Sequence, residues 1–116
     1  MFESSNSNEE ISRCFFYVGV AELREKYNQK ALLNFQKSLE YRRKVTKNLS
    51  TETGLIHSQI GIVHLMTGDF EGAVKEFDTA SKCLSLSRTF ELMECYSNLG
   101  QAYLGLGKEE AAKSNF

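Results

Sequence analysis

The sequence contains no proline, and its eight glycines occur singly along the chain. It also lacks the usual β-hairpin signal, because no alternating apolar run is followed by Asn-Gly or Asp-Gly. Proline is the strongest helix breaker, so a chain without it can form uninterrupted helices. These absences predict an all-α protein in which helices are joined by short turns.

The chain has neither an excess of positive charge nor a long apolar run. Its 14 basic and 15 acidic residues give a net charge of −1, whereas a protein that grips nucleic acid backbones needs a basic surface. No stretch approaches the roughly 20 apolar residues of a membrane helix. The polar N-terminus is unlike a signal or transit peptide. We therefore expect neither a nucleic acid nor a membrane as a partner.

Cysteine is scarce, and the three that occur (Cys14, Cys83 and Cys95) form no CxxC pair. An odd number of unpaired cysteines predicts a reduced, cytoplasmic chain. The length of 116 residues is typical of one domain, and the 41% apolar content is that of an ordinary globular protein. This composition excludes a disordered tail, a collagen and a disulfide-dense miniprotein.

Three segments of the chain resemble one another. An aliphatic residue and a glycine begin each segment, an alanine follows the glycine after 12 residues, and a phenylalanine comes four residues later. The columns are Gly19, Gly61 and Gly100; Ala31, Ala73 and Ala112; and Phe35, Phe77 and Phe116. The second copy follows the first by 42 residues in every column, and the third follows the second by 39. Agreement at this many positions indicates an internal repeat.

The repeat divides the chain into a polar tail (1–7) and one domain (8–116) with units of about 8–49, 50–87 and 88–116. Apolar residues at helical spacing predict a helix pair, A and B, in each unit. Ser7 and Glu10 are spaced like a capping box for the first helix, and Ser50 or Thr51 and then Asp69 are expected to cap later ones. The predicted helices run from about Asn8 to Lys26, Asn28 to Lys47, Thr51 to Thr67, Phe70 to Ser85 and Thr89 to Leu106. Gly107 is expected to end the fifth helix, so that Lys108–Phe116 begins an incomplete sixth.

Glycine inside a helix costs about 1 kcal/mol relative to alanine. This cost is explained if the partner helix packs too closely for a Cβ. We expect Ala31, Ala73 and Ala112 to lie against the three glycines of the repeat, with the phenylalanines filling the space between helix pairs.

The pattern Ile60-Gly61, Gly68-Asp69-Phe70, Ala73 and Phe77 resembles the tetratricopeptide repeat family. The first copy departs from it at Glu22, Lys26 and Ser38. The units are longer than the usual 34 or so residues, which is similar to the extended subclass found in scaffold and adaptor proteins. The resemblance implies a right-handed α-solenoid of antiparallel helix hairpins, with two complete repeats and a truncated third.

The resemblance also implies a function, namely non-catalytic binding of a partner's peptide or helix in a concave groove lined by the A helices. Carried over by register, the groove residues are Arg13, Phe16, Val20, Leu55, Ser58, Ile62, Glu94, Ser97, Asn98 and Gln101. Leu23, Leu65 and Leu104 occupy neighbouring positions and are expected to pack. The Lys and Asn set that holds chaperone C-termini in some family members is missing. An open alternative is that Phe16, Val20 and Ile62 only pack between neighbouring A helices.

The remaining candidates for chemistry have simpler explanations. His57 and His64 share a helix face, but no Glu or Cys stands at metal-ligand spacing, so both are expected to pack. The three cysteines are expected to be small buried hydrophobes. We therefore expect no enzyme activity, no metal and no cofactor.

Two further alternatives stay open at this level. The basic run 42–47 could dock an acidic partner, although such runs are usually solvated helix ends. The truncated third unit would expose Tyr103 and Phe116, so the chain could instead be a structural segment that stacks on further repeats or on a second copy.

Overall fold

Five α-helices account for nearly all of the chain that the structure describes. The structure is a computed structural model that describes residues 4–46, 50–84 and 88–114. The helices are α1 (Ser4–Arg24), α2 (Asn28–Val45), α3 (Thr51–Thr67), α4 (Phe70–Cys83) and α5 (Thr89–Ser114). No strand occurs in these ranges, which confirms the all-α prediction. The predicted helix ends at Lys47 and Ser85, residues 1–3 of the predicted tail, and Phe116 lie outside them.

Each helix packs against the next one along the chain. The closest pairs are the antiparallel hairpins α1–α2 and α3–α4, and α5 packs against α4. Smaller contacts join α1 to α3 and α3 to α5. The result is an elongated stack of two hairpins and a single helix, with extents of 63 × 31 × 21 Å.

The turns within the two hairpins have the same backbone hydrogen bonds, 42 residues apart. Lys26 N–H donates to Leu23 O at 3.0 Å, and Gly68 N–H donates to Leu65 O at 3.3 Å. The following residues, Tyr27 and Asp69, bond back to Glu22 O and His64 O at 2.9 and 2.8 Å. The φ angles of Lys26 and Gly68 are 65° and 84°. Both residues thus have the left-handed backbone conformation that glycine normally adopts at the end of a helix. The lysine therefore adopts a conformation that costs roughly 1–2 kcal/mol for a residue with a Cβ.

Two predicted caps are confirmed and one is wrong. Ser50 Oγ accepts from Thr53 N–H at 3.3 Å, and Asp69 Oδ1 accepts from Gly72 N–H at 3.0 Å. The proposed capping box at Ser7 and Glu10 does not form, because α1 already begins at Ser4. Neither proline nor glycine occurs in the first turns of α1, so nothing stops the helix from extending into the segment that the sequence pattern predicts to be a tail.

The core consists of two apolar clusters that share α3. The first buries residues of α2 and α3 beneath α1, and the second buries residues of α4 and α5 beneath α3. Ile56, Ile60 and Val63 point from α3 into the first cluster, while Leu55 and Ile62 pack against the second. The central helix is apolar on two faces because it has a neighbouring hairpin on one side and α4 with α5 on the other.

The glycines of the first two repeat units do make close contacts, but phenylalanine rather than alanine is their partner. A Cβ on Gly19 would lie 2.7 Å from the ring of Phe35, and one on Gly61 would lie 2.7 Å from the ring of Phe77. Both rings are fully buried. The atoms nearest to each Cβ position therefore belong to phenylalanine and not to the expected alanine. Each phenylalanine lies four residues after the corresponding alanine in helix B, and its ring is long enough to reach the partner helix.

The third unit differs from the prediction. Helix α5 continues through Gly107 to Ser114, so no turn forms there and no sixth helix begins at Lys108 within the described residues. Gly107 lacks the left-handed φ seen at Gly68, and strong helix formers follow it. A Cβ added to Gly100 would meet no neighbour within 4 Å among the described residues. The side chain of Ala112, the expected partner of Gly100, lies outside the described part of the structure.

Candidate functional site

The apolar residues of the predicted groove are mainly packing residues. Phe16 and Val20 pack against the first core cluster, and Leu55 and Ile62 pack against the second. All four side chains are only partly buried, so part of each remains open to solvent. The alternative of packing between neighbouring helices thus describes most of their surface. Leu23 and Leu65 also pack as expected, but Leu104 is largely exposed.

The polar residues of the predicted groove do not form one site. Arg13 is exposed on α1 and donates to Glu9 Oε1 at 2.8 Å. Along α5, Glu94, Ser97 and Gln101 are exposed and Asn98 is partly buried, as is Ser58 on α3. Of the ten candidate residues, the structure brings three together around one cavity and places Gln101 alone at a second.

The first cavity has a volume of about 280 Å³ and lies where α1, α2 and α3 meet. Three predicted groove residues, Arg13, Phe16 and Leu55, line it. Its other lining residues are Ser12, Tyr17, Ser38, Arg42, Glu52, Ile56 and Arg88. The walls therefore combine aromatic and aliphatic surface with three arginines and one carboxylate.

Arg42 is the unusual member of this lining. It is only 5% exposed, yet the nearest carboxylate oxygen among the described residues, Glu9 Oε1, is 3.8 Å from its Nη1. That distance is too long for a hydrogen bond. Its Nε is buried and has no hydrogen-bond partner among the described residues. The guanidinium is thus a buried cation whose charge and donors are incompletely satisfied, which is rare in protein interiors.

The other two arginines already have acidic neighbours. Arg13 shares Glu9 with Arg42, and Arg88 Nη1 lies 3.4 Å from Glu91 Oε1. Both of these pairs are partly exposed to solvent, where such pairs are worth little.

Sequence reasoning missed Arg42, because the basic run around it is typical of a solvated helix end. That description holds for its neighbours: Arg43 is exposed, and Lys44 Nζ lies over the ring of Tyr41 at 4.4 Å. The spacing of buried residues along α2 does indicate that Arg42 is buried. Phe35, Ser38, Leu39 and Arg42 fall on one face of α2, and all four are buried.

The second cavity is a shallow cleft of about 340 Å³ between the α3–α4 turn and α5. It includes Gln101 from the predicted groove, together with Leu65, Phe70, Leu104, Gly105 and Lys108. A Cβ on Gly105 would lie 2.6 Å from the Phe70 ring, so this glycine allows α4 to approach α5. The sequence pattern did not identify Gly105, because the repeat columns contain no matching glycine.

The histidines and cysteines lie apart from both cavities. His57 Nδ1 lies 2.6 Å from Glu76 Oε2, and His64 Nδ1 lies 3.3 Å from Asp69 Oδ2, so these partly buried rings each face a carboxylate. Burial raises the pKa of Cys83 and of Cys95, and the Asp78 carboxylate contributes at Cys95. These two cysteines are buried as predicted, but Cys14 is exposed, so the expectation of a buried Cys14 is wrong.

Comparison with protein-family models, with curated proteins and with solved structures finds no match to this chain. Within the described ranges, no helix is long and apolar enough to cross a membrane. No group of three or more His, Cys, Asp or Glu side chains in those ranges is placed to hold a metal ion.

Proposed function

We propose that this chain is a tetratricopeptide-like α-solenoid that acts as a non-catalytic protein–protein interaction module, a scaffold or adaptor, inside the cell. The two hairpins support the proposal, because the turn hydrogen bonds and the glycine–phenylalanine contacts recur at an offset of 42 residues. The sequential packing from α1 to α5 supports it as well, since each unit of a solenoid contacts only its neighbours.

The cavity where α1, α2 and α3 meet is the observation that carries the binding proposal. A concave surface with apolar walls and a few polar groups is the usual form of a recognition site. Phe16 and Leu55 supply partly open apolar surface there, and Tyr17 is 66% exposed at the same place. The partner in this proposal is an extended peptide or a helix of another protein, which would cover these side chains.

A peptide-display selection against the purified chain tests this proposal. Phe16 and Ile62 support the core, so their truncation would confuse folding with binding. Tyr17→Ala is the better variant because the side chain is mostly exposed. We expect it to weaken the selected peptides by about tenfold or more, the usual effect of removing an aromatic anchor.

The matched control is Tyr27→Ala, which removes an equally large ring that is 55% exposed in the α1–α2 turn, away from the cavity. Its affinity for the selected peptides should stay within about twofold of the wild type. Peptides that bind equally well to wild type and Tyr17→Ala, or a selection that enriches none, would contradict the proposed site.

A second candidate function is structural stacking through α5. A set of large apolar side chains on this helix is 57–70% exposed: Phe90, Met93, Tyr96, Tyr103 and Leu104. Gly100 lies among them, with open space above it in the described part of the chain. Such a face is typical of a surface that another helix covers. Light scattering over a concentration series tests self-association, and a monomer at every concentration would count against a second copy as the cover.

A further inference from the structure

We propose that the cavity at the junction of α1, α2 and α3 binds a carboxylate of the partner peptide, and that the buried guanidinium of Arg42 is its principal recognition group. This inference rests on the proposed function in one respect, namely that the molecule carrying the carboxylate is a peptide. The carboxylate site itself is defined by residues that can be tested separately.

The argument begins with the cost of burying a cation. Moving a guanidinium out of water is costly unless hydrogen bonds and an opposite charge replace the lost solvent. Arg42 has one carboxylate at 3.8 Å, and that carboxylate is nearer to Arg13, at 2.8 Å. Its Nε finds no acceptor in the described part of the chain. The cavity wall thus contains a guanidinium whose charge and hydrogen bonds the described residues compensate only in part.

Part of the Arg42 guanidinium is nevertheless accessible from the cavity. The residue is buried against the hairpin but forms part of the wall of an open cavity of about 280 Å³. Nε itself is enclosed, so an entering anion would meet the remaining surface of the guanidinium. Arg13 and Arg88 line the same space, although Glu9 and Glu91 offset much of their charge. Arginine is well suited to a carboxylate because its planar donors match the two oxygens.

The apolar walls favour a carboxylate on a peptide over a free inorganic anion. Phe16, Tyr17, Leu55 and Ile56 surround much of the cavity, and they can pack against the hydrocarbon part of an acidic residue. The volume is close to the lower end of small-ligand pockets, so it accommodates about one side chain and its neighbours. A phosphate ion would use the arginines but gain nothing from these walls.

Glu52 places a carboxylate in the same cavity as the three arginines. It lines the cavity from the first turn of α3 and is itself exposed. A carboxylate at that position is also stabilised by the start of the helix. If Glu52 holds the cavity closed to other anions, Glu52→Gln will tighten the binding of an acidic peptide. This expectation separates a site that is open to partners from one that the chain fills itself.

The experiment is an NMR titration of the 116-residue chain with two short blocked peptides, acetyl-Leu-Glu-Leu-amide and acetyl-Leu-Gln-Leu-amide. The glutamate peptide should shift amide signals of Arg13, Phe16 and Leu55 and bind at least about tenfold more tightly than its neutral counterpart. Glu52→Gln should strengthen that binding. Inorganic phosphate serves as the third ligand and should bind more weakly than the glutamate peptide.

Arg42→Met and Arg43→Met form the matched pair of variants. Methionine at position 42 keeps the stem and removes the charge, and replacement of a buried charge by an apolar residue is often tolerated. Arg42→Met should weaken the glutamate peptide by about tenfold or more while retaining a cooperative thermal transition. Arg43→Met removes an exposed charge in the same turn and should leave the affinity within about twofold.

Three results would overturn the proposal: equal affinity for the two peptides, unchanged affinity in Arg42→Met, or tighter binding of inorganic phosphate than of the glutamate peptide. If Arg42→Met fails to fold, Arg42→Lys takes its place and should still bind at least about threefold more weakly, because lysine lacks the planar donor set. The display selection can fail while this titration succeeds, and the reverse also holds, so the two proposals are distinguishable.

Discussion

Ser12 and Ser38 close the first hairpin with reciprocal hydrogen bonds between α1 and α2. Ser12 Oγ donates to Ser38 O at 2.8 Å, and Ser38 Oγ donates to Ser12 O at 2.7 Å. Both residues are almost completely buried. The equivalent positions of the second hairpin, 42 residues later, are Gly54 and Ala80, where a Cβ on the glycine would lie 3.3 Å from Ala80 O. The same helix crossing is thus formed by a polar pair in one hairpin and by two small residues in the other.

The serine pair predicts a coupled loss of stability. Ser12→Ala and Ser38→Ala each remove one donated bond from a buried site, so each should lower the free energy of unfolding by about 1 kcal/mol. The double variant should lose less than the sum, because the two Oγ atoms are in contact at 3.2 Å and each single truncation already disturbs the shared site. Urea unfolding measures all three. Ser97→Ala on the exposed surface of α5 is the control and should stay within about 0.5 kcal/mol.

Gly61 and Gly100 occupy the same column of the repeat but should respond in opposite directions to alanine. A Cβ at Gly61 would overlap the buried Phe77 ring, and such overpacking typically costs about 1–3 kcal/mol. Gly100 has open space above it in the described part of the chain, so alanine there should add up to about 1 kcal/mol through helix propensity. Thermal unfolding of the 116-residue chain measures both. A Gly100→Ala variant that is clearly destabilised would show that another helix covers this face.

Local chemistry made much of the backbone predictable. Hydrophobic spacing located all five helices, and side-chain chemistry identified Ser50 and Asp69 as caps. The column alignment also placed Lys26 opposite Gly68, and the structure shows the same left-handed backbone at both. These features depend on a few neighbouring residues, which is why a single sequence contains them.

The contacts between helices were harder to predict from the sequence. The repeat predicted that a partner helix lies close to Gly61. The spacing of residues along that helix does not tell whether Ala73 or the longer Phe77 contacts the glycine. The continuous α5 was missed because a glycine such as Gly107 predicts a helix end, whereas only the left-handed φ of Gly68 makes glycine a terminator. The candidate site was missed for a similar reason, since the charge of Arg42 predicts a solvated residue and its place on the buried face of α2 decides otherwise.

The three thiols should separate into one fast and two slow groups towards an alkylating reagent. Cys14 is exposed, whereas Cys83 and Cys95 are buried, and Cys95 Sγ donates to Phe77 O at 3.1 Å. Burial raises the pKa of both buried thiols, so fewer of them are thiolates at neutral pH. The raised pKa also means that the unfolded chain loses these protons first as the pH rises. The free energy of unfolding should therefore decline above the ordinary pKa of a thiol. At neutral pH we expect one thiol to react at least about a hundredfold faster than the other two, whose reaction requires opening of the fold. Mass spectrometry of the alkylated peptides measures this, and Cys14→Ser should remove the fast phase alone. Early modification of Cys95 would contradict the packing of α5 against α4.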